Sequence, residues 1–383
     1  MIKTYFDELM EKKYFKDYSD NHFILKALQG NDAEIKKRLS PFKPIPINNL
    51  CFGPDLTPHF EPQQGLMDIN HDNFVLNSAN TIAFLHKLFE DDFDSFIREK
   101  LAAGKKNYTD EQFFQAMSEV HLLYYLAHIG EIKEKYYEPT ISPNGKNPEA
   151  SFVYSNGVKI NIEVKTPDYS QCIHKKYDRW IQPSVAYDRL YLKLNDIVEE
   201  KGFKLIPPFI NKMKDFINSA CEKFLPVNNR NEFNILAINY YGHPWENKAV
   251  AEGYCSLMNE TTGILYSDIT RKKLNISESI ERISAFVLYQ CTSETLLNSD
   301  LRFSWPFIRL IRNPLCSDID FAKLWQMLLF DSYDYFKPMI PMGKITDLRY
   351  YIFHDFPQNI CDQSQLYEIQ QELCTAQSLF IET

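Results

Sequence analysis

Residues 149–167 read EASFVYSNGVKINIEVKTP, and the register of the two β-rich runs around Asn156-Gly157 decides the fold. An Asn-Gly pair between such runs predicts a hairpin, because both residues tolerate the left-handed backbone of a tight turn. Two registers compete. A two-residue loop pairs Glu149 with Val164 and leaves the Glu149 and Glu163 carboxylates on opposite faces, since side chains alternate along a strand. A three-residue loop, Ser155-Asn156-Gly157 with Gly157 left-handed, pairs Glu149 with Glu163 and Phe152 with Ile160. The second is preferred. It places Ala150, Phe152, Tyr154, Val158, Ile160, Ile162 and Val164 on one face, and Ser151, Lys159, Asn161, Glu163 and Lys165 on the other; Val153 alone breaks the pattern.

Working outward, Thr109-Asp110-Glu111-Gln112 matches a capping box, which predicts a helix running toward Gly130 as its C′ residue. Glu131 to Pro139 reads as a first strand, followed by the turn-rich segment 142–148. Upstream, Ile82, Leu85, Leu88, Phe89, Phe93, Phe96 and Ile97 recur at helical spacing between Thr81 and Leu101. Further upstream, residues 1–38 read as helical, and 41–65 carry six prolines and two glycines, which predicts an extended linker. Downstream, helices are expected at about 184–201 and 208–225, with strands at Glu232 to Tyr241 and Ala285 to Cys291. Helical periodicity returns in Phe321 to Phe330 and Gln365 to Phe380. The expected organisation is a helical region over 1–105, a core over 106–295 and a helical region over 296–383.

The net charge of -9 excludes a chain whose whole surface binds polyanions, so nucleic-acid contact has to be local. Candidate patches are His174, Lys175, Lys176 and Arg179, and the run Arg271, Lys272 and Lys273; each also fits an ordinary solvated surface. The eight cysteines are scattered without a CxxC, which argues against structural zinc. The opening MIKTYFDELMEKKYF lacks the apolar core of a signal peptide, and no run of about 18 apolar residues occurs, so a cytoplasmic protein without membrane attachment is expected. Walker, GxSxG and HExxH motifs are missing, which removes their chemistries.

Phosphodiester hydrolysis needs a hard divalent ion that neutralises phosphate and presents water in line with the leaving oxygen. Glu149 and Glu163, adjacent across the expected hairpin, are oxygen donors suited to Mg²⁺, with Mn²⁺ as a substitute. Lys165 lies on the same face, where its charge can stabilise or activate the water. Glu-x-Lys alone is unspecific: Glu11-Lys13, Glu34-Lys36, Glu131-Lys133, Glu199-Lys201 and Glu246-Lys248 match it as well. The alternative is an exposed ion pair, worth at most about 1 kcal/mol.

Pro148-Glu149, then thirteen residues, then Glu163-Val164-Lys165 resembles the PD-(D/E)XK, or restriction-endonuclease-like, nuclease superfamily. The resemblance covers roughly residues 106–292, with the stretch FINKMKDFINSACEKF standing for the crossover helix. It departs in having Glu149 where Asp is commoner, one methylene longer. It implies an α/β fold with a mixed β-sheet flanked by helices, extended at both ends by helical regions. It implies a Mg²⁺ ion on Glu149, Glu163 and the Val164 carbonyl, with Lys165 acting on the attacking water. Glu119, on the helix before the sheet, is the match for the family's further acidic residue, binding a second ion or orienting Lys165. His121 and His128 on that helix read as packed or capping residues. The implied partner is nucleic acid, DNA ahead of RNA, and a homodimer is compatible; Trp180, Tyr187 and Tyr191 are candidates for base stacking or for core packing. A non-catalytic binding protein that retains the fold is the reading from another class.

Overall fold

The structure is a computed structural model that describes residues 81–101, 109–140, 145–167, 180–181, 204–205, 209–240, 253–254, 256–258, 263–289, 308–317 and 319–328. The expected helices at 1–38 and 184–201, the linker at 41–65, the C-terminal stretch 365–380 and the patch of His174, Lys175, Lys176 and Arg179 lie outside these residues, as do Tyr187 and Tyr191 and the side chain of Trp180.

Six strands form one mixed sheet in sequential order: β1 (Ile132–Tyr137), β2 (Ala150–Tyr154), β3 (Lys159–Lys165), β4 (Glu232–Asn239), β5 (Ala285–Tyr289) and β6 (Ile308–Arg312). The pairs β1/β2, β2/β3 and β5/β6 are antiparallel, while β3/β4 and β4/β5 are parallel. Parallel neighbours need a crossover, and between β3 and β4 the chain forms the helix Phe209–Lys223. The central strands β4 and β5 are almost wholly buried, as strands covered on both faces are.

The β2/β3 hairpin adopts the three-residue loop. Phe152 pairs with Ile160, Tyr154 N donates to Val158 O at 2.8 Å, and Gly157 has φ +79°. A Cβ on Gly157 would meet no atom within 4 Å, so substitution there costs conformational strain rather than a clash. Gly157→Ala is expected to lower stability by about 1 kcal/mol, with Gly157→Asn costing roughly half as much, as read by urea unfolding.

Alternation then sorts the sheet into two cores. Ala150, Phe152, Tyr154, Ile160 and Ile162 join Phe233, Ile235 and Ala237 on one side, under a helix α2 that spans Asp110–Leu126. Leu236, Ile238, Phe286 and Leu288 face the other side, under α3 (Phe209–Lys223), whose Ile210, Met213, Ile217, Ala220 and Phe224 recur at helical spacing. The polar face of the hairpin is covered too. Ser151, Asn161 and Glu163 are buried, and the first two are satisfied by a chain in which Ser151 Oγ donates to Asn161 Oδ1 and Asn161 Nδ2 donates to Asn234 Oδ1, both at 2.8 Å.

The first core also contains Ile82, Leu85, Phe89, Phe93, Phe96 and Ile97, together with Leu324 and Leu328 from a helix at Phe321–Leu328. The boundaries expected at 105/106 and 295/296 therefore need correction. Residues 81–101 and 308–328 complete the sheet and its core instead of extending from it, because their apolar stripes bury against the same strands.

Two local expectations also change. Thr109 Oγ1 accepts from Gln112 N at 3.2 Å, as a cap should, but the Gln112 side chain donates to Glu99 O at 2.8 Å, so the reciprocal half of the capping box is not formed. The helix α2 ends at Leu126, capped by Ala127, and Gly130 is not its C′ residue. Glycine at 130 answers to packing: a Cβ there would sit 3.2 Å from Tyr154 Cδ1. The Tyr154 hydroxyl, in turn, donates to the Leu126 carbonyl at 2.7 Å, satisfying an acceptor that the helix end leaves open.

Candidate functional site

The stretch 81–101 begins as a helix, α1, over residues 81–89, and breaks at Glu90, which holds a left-handed φ of +56°. A 3-10 turn (Glu90–Phe93) and a π-helical turn (Phe96–Lys100) follow. The wider π turn, closed by Leu101 N donating to Phe96 O at 3.0 Å, keeps Phe96, Ile97 and Leu101 in the core. Lys100 leaves the apolar side and reaches the end of the hairpin. Its ammonium hydrogen-bonds Glu119 Oε1 and Oε2 at 3.1 and 3.0 Å, pairs with Glu138 Oε1 at 3.3 Å and hydrogen-bonds Glu149 Oε2. Its methylene stem and charge also lie by the Tyr137 ring, 5.4 Å from the centroid.

Glu149 stands one residue before β2, and its N–H donates at 2.9 Å to the carbonyl of Ile162, the residue paired with Ala150, which brings Glu149 to the end of the hairpin beside Glu163. The two carboxylates share a face and a cation. The Nζ of Lys223, the last residue of α3, is 2.7 Å from Glu163 Oε1, 2.9 Å from Glu163 Oε2 and 3.7 Å from Glu149 Oε1. Lys165 Nζ stands 2.7 Å from Glu163 Oε1. Charges therefore alternate in one chain: Glu119, Lys100, Glu149, Lys223, Glu163, Lys165.

Glu163 is 0% exposed, which excludes the exposed ion pair considered from the sequence. Its Oε1 lies 2.7 Å from both the Lys165 and the Lys223 ammoniums, so the buried carboxylate is held by two positive charges. The Val164 carbonyl lies in the plane of the sheet, on the β2 side. In a strand, alternate residues direct their backbone groups to the same neighbour; Ile162 O accepts from β2 while Lys159 N donates to Asn231 on the β4 side. Val164 thus faces the β2 edge just beyond the point where β2 begins at Ala150.

Glu119, at 6% exposure, faces Lys100 and accepts from the Tyr137 hydroxyl at 3.0 Å. The expectation that it orients Lys165 is corrected: among the described residues, the ion pair of Lys165 is with Glu163, and Glu119 reaches it only through Lys100, Glu149, Lys223 and Glu163 in turn. The helix α2 is held in place next to Glu119, where Tyr289 OH donates to Ser118 O at 3.1 Å and the Asn239 amide donates to Ser118 Oγ.

Burial raises the Glu119 pKa to about 8, helped by the Glu149 charge and opposed by Lys100. Burial would raise Glu149 too, but the Lys100 and Lys223 ammoniums outweigh it and hold that carboxyl below its usual value. Glu163 is pushed up by burial and by Glu149. Lys100 is half-buried, and this desolvation alone would lower its pKa, yet Glu119 and Glu149 hold it above the usual lysine range. Among the described residues no three carboxylate, imidazole or thiol groups converge as they stand to hold an ion, because Lys100 and Lys223 lie between the acids. The donor set nevertheless suits a hard cation: two buried carboxylates already bridged by one positive charge.

Lys100, Lys223, Tyr137 and Glu138 were not found from the sequence. Lys100 depends on the π turn, and Lys223 on how α3 crosses the sheet; neither leaves a local motif. Glu138 takes a left-handed φ of +44° at the end of β1, a conformation uncommon outside glycine. His128 behaves as a capping residue, with Nδ1 2.7 Å from Tyr124 O. His121 is buried, and neither ring nitrogen has a partner among the described residues. Burial lowers its pKa to about 3, so unfolding takes up a proton anywhere between that value and the ordinary histidine range. Stability is therefore lost as pH falls through the ordinary range. Urea unfolding is expected to show wild type losing about 2 kcal/mol more than His121→Phe between about pH 7.5 and about pH 5.

The basic run Arg271 to Lys273 lies on a short helix, α4 (Asp268–Lys273), away from these carboxylates, with Arg271 paired to Asp268 and donating to Ile264 O at 2.7 Å. No helix among the described residues is long and apolar enough to cross a membrane. No family model matches this chain, and neither a curated protein nor a solved structure gives a significant match.

Proposed function

We propose that this protein is a Mg²⁺-dependent nuclease of restriction-endonuclease-like fold that hydrolyses phosphodiester bonds in nucleic acid, with DNA ahead of RNA. The observation that carries the reading is that Glu149 and Glu163 meet at the end of the hairpin on one ammonium, that of Lys223, with Lys165 paired to Glu163 beside them. The mixed sheet, the helix α2 carrying Glu119 and the crossover helix α3 agree with that fold.

Glu149, Glu163 and the Val164 carbonyl are the groups that would hold the ion. Bound there, Mg²⁺ supplies charge neutralisation on the phosphate and a water of lowered pKa. Lys165 has its Nζ fixed by Glu163 and is 23% exposed on the side chain, so it can reach a water or a phosphate oxygen without leaving its partner. Glu119 and Tyr137 hold Lys100, and Lys100 holds Glu149 Oε2, which leaves Glu149 Oε1 for the ion.

One observation favours the non-catalytic reading: Lys100 and Lys223 already neutralise the acids, as in a structural ion-pair network. Incubating the protein with plasmid, linear duplex, single-stranded DNA and RNA, in Mg²⁺ or in EDTA, separates the readings. DNA cleavage that requires Mg²⁺ is expected. Cleavage of RNA with plasmid left intact would move the substrate to RNA, and no cleavage of any substrate would overturn the nuclease reading.

A further inference from the structure

We infer that the Lys223 ammonium occupies the divalent-ion position in the metal-free protein and must swing out when an ion binds, so that Lys223 sets the metal affinity. This rests on the metal-site reading above and adds to it a competitor built into the chain.

The geometry singles out Lys223 among the three lysines. Its Nζ alone contacts both Glu163 and Glu149, with oxygens at 2.7, 2.9 and 3.7 Å. Lys165 touches only Glu163. Lys100 meets Glu149 through Oε2 and is anchored on Glu119 and Glu138, leaving the Oε1 side open. A divalent ion held by Glu149 and Glu163 would need the space that Lys223 fills between them. Lys165 also meets Glu163 Oε1 but stands on Glu163 alone, whereas an ammonium and a divalent cation cannot both occupy the space between the two acids, since their repulsion at contact is large even at an intermediate dielectric.

The carboxylates are the fixed partners and the ammonium the mobile one. Glu163 is fully buried on a strand that pairs on both sides, and Glu149 is 11% exposed on the side chain. Lys223 ends its helix, its side chain is 19% exposed, and its four-carbon stem can carry the charge to solvent or to a phosphate. In the absence of metal the same ammonium keeps two buried acids from facing each other unscreened.

The test is Mn²⁺ binding to the whole protein without nucleic acid, followed by electron paramagnetic resonance. Lys223→Met is expected to bind Mn²⁺ about tenfold or more tighter than wild type. Lys165→Met removes the same unit charge at the same distance from Glu163 but not from the bridging position, and is expected to change affinity by less than about threefold. The metal-free Lys223→Met protein should melt below wild type and recover more of its Tm on adding Mn²⁺. If Lys223→Met does not fold, Lys223→Gln carries the same expectation. Equal or weaker binding by the Lys223 variants, or an equal gain from Lys165→Met, overturns the displacement and leaves the metal site standing. Absence of Mn²⁺ binding in wild type and every variant overturns the metal site itself.

Discussion

Glu163→Gln is expected to lower Mg²⁺-dependent cleavage by about 10²-fold or more while the protein stays folded. The amide keeps the volume of a fully buried side chain but removes the charge that lies between Lys165 and Lys223. Both lysines are partly exposed, so losing this partner lets them hydrate, and the stability change should remain near about 1 kcal/mol. Lys165→Ala is expected to lose a similar factor in rate by a different route, since it leaves both acids in place. Circular dichroism melts alongside single-turnover cleavage with a plasmid separate lost chemistry from lost structure. Full activity in Glu163→Gln would sink the site.

Lys100→Met should be the most damaging change to stability, costing about 3 kcal/mol or more. Among the described residues Lys100 is the one ammonium shared by Glu119 and Glu149, which are both buried, and the helix and hairpin ends that carry them are pulled together through it. Methionine fills the stem's space against Phe96 and Tyr137 but leaves two acids facing each other. Glu119 would then take up a proton, which limits the loss. The double variant Lys100→Met, Glu119→Gln is therefore expected to recover a large part of the stability in urea unfolding. No recovery would mean that the ion pair is not what holds the α2 helix to the hairpin end.

The hairpin was legible because its information is local. Asn156-Gly157 and alternation on both sides leave one register that keeps every apolar residue but Val153 on one face, and a slip by one residue would turn them away from the first core. The helix start at Thr109 and the apolar stripe from Ile82 to Ile97 were legible for the same reason: capping and periodicity act within a few residues. The boundaries of the core were not, because whether 81–101 and 308–328 stand apart or pack on the sheet depends on residues far away in the chain.

By itself the sequence determined the hairpin register, and with it the meeting of Glu149, Glu163 and Lys165 on one face. Tertiary structure alone decided that this face is buried beneath α3, that a π turn delivers Lys100 and that a helix end delivers Lys223. The physical reason is range: turn and alternation rules are settled between neighbours, whereas charge pairing among residues 49 to 60 positions apart exists only after the sheet and its two cores have formed.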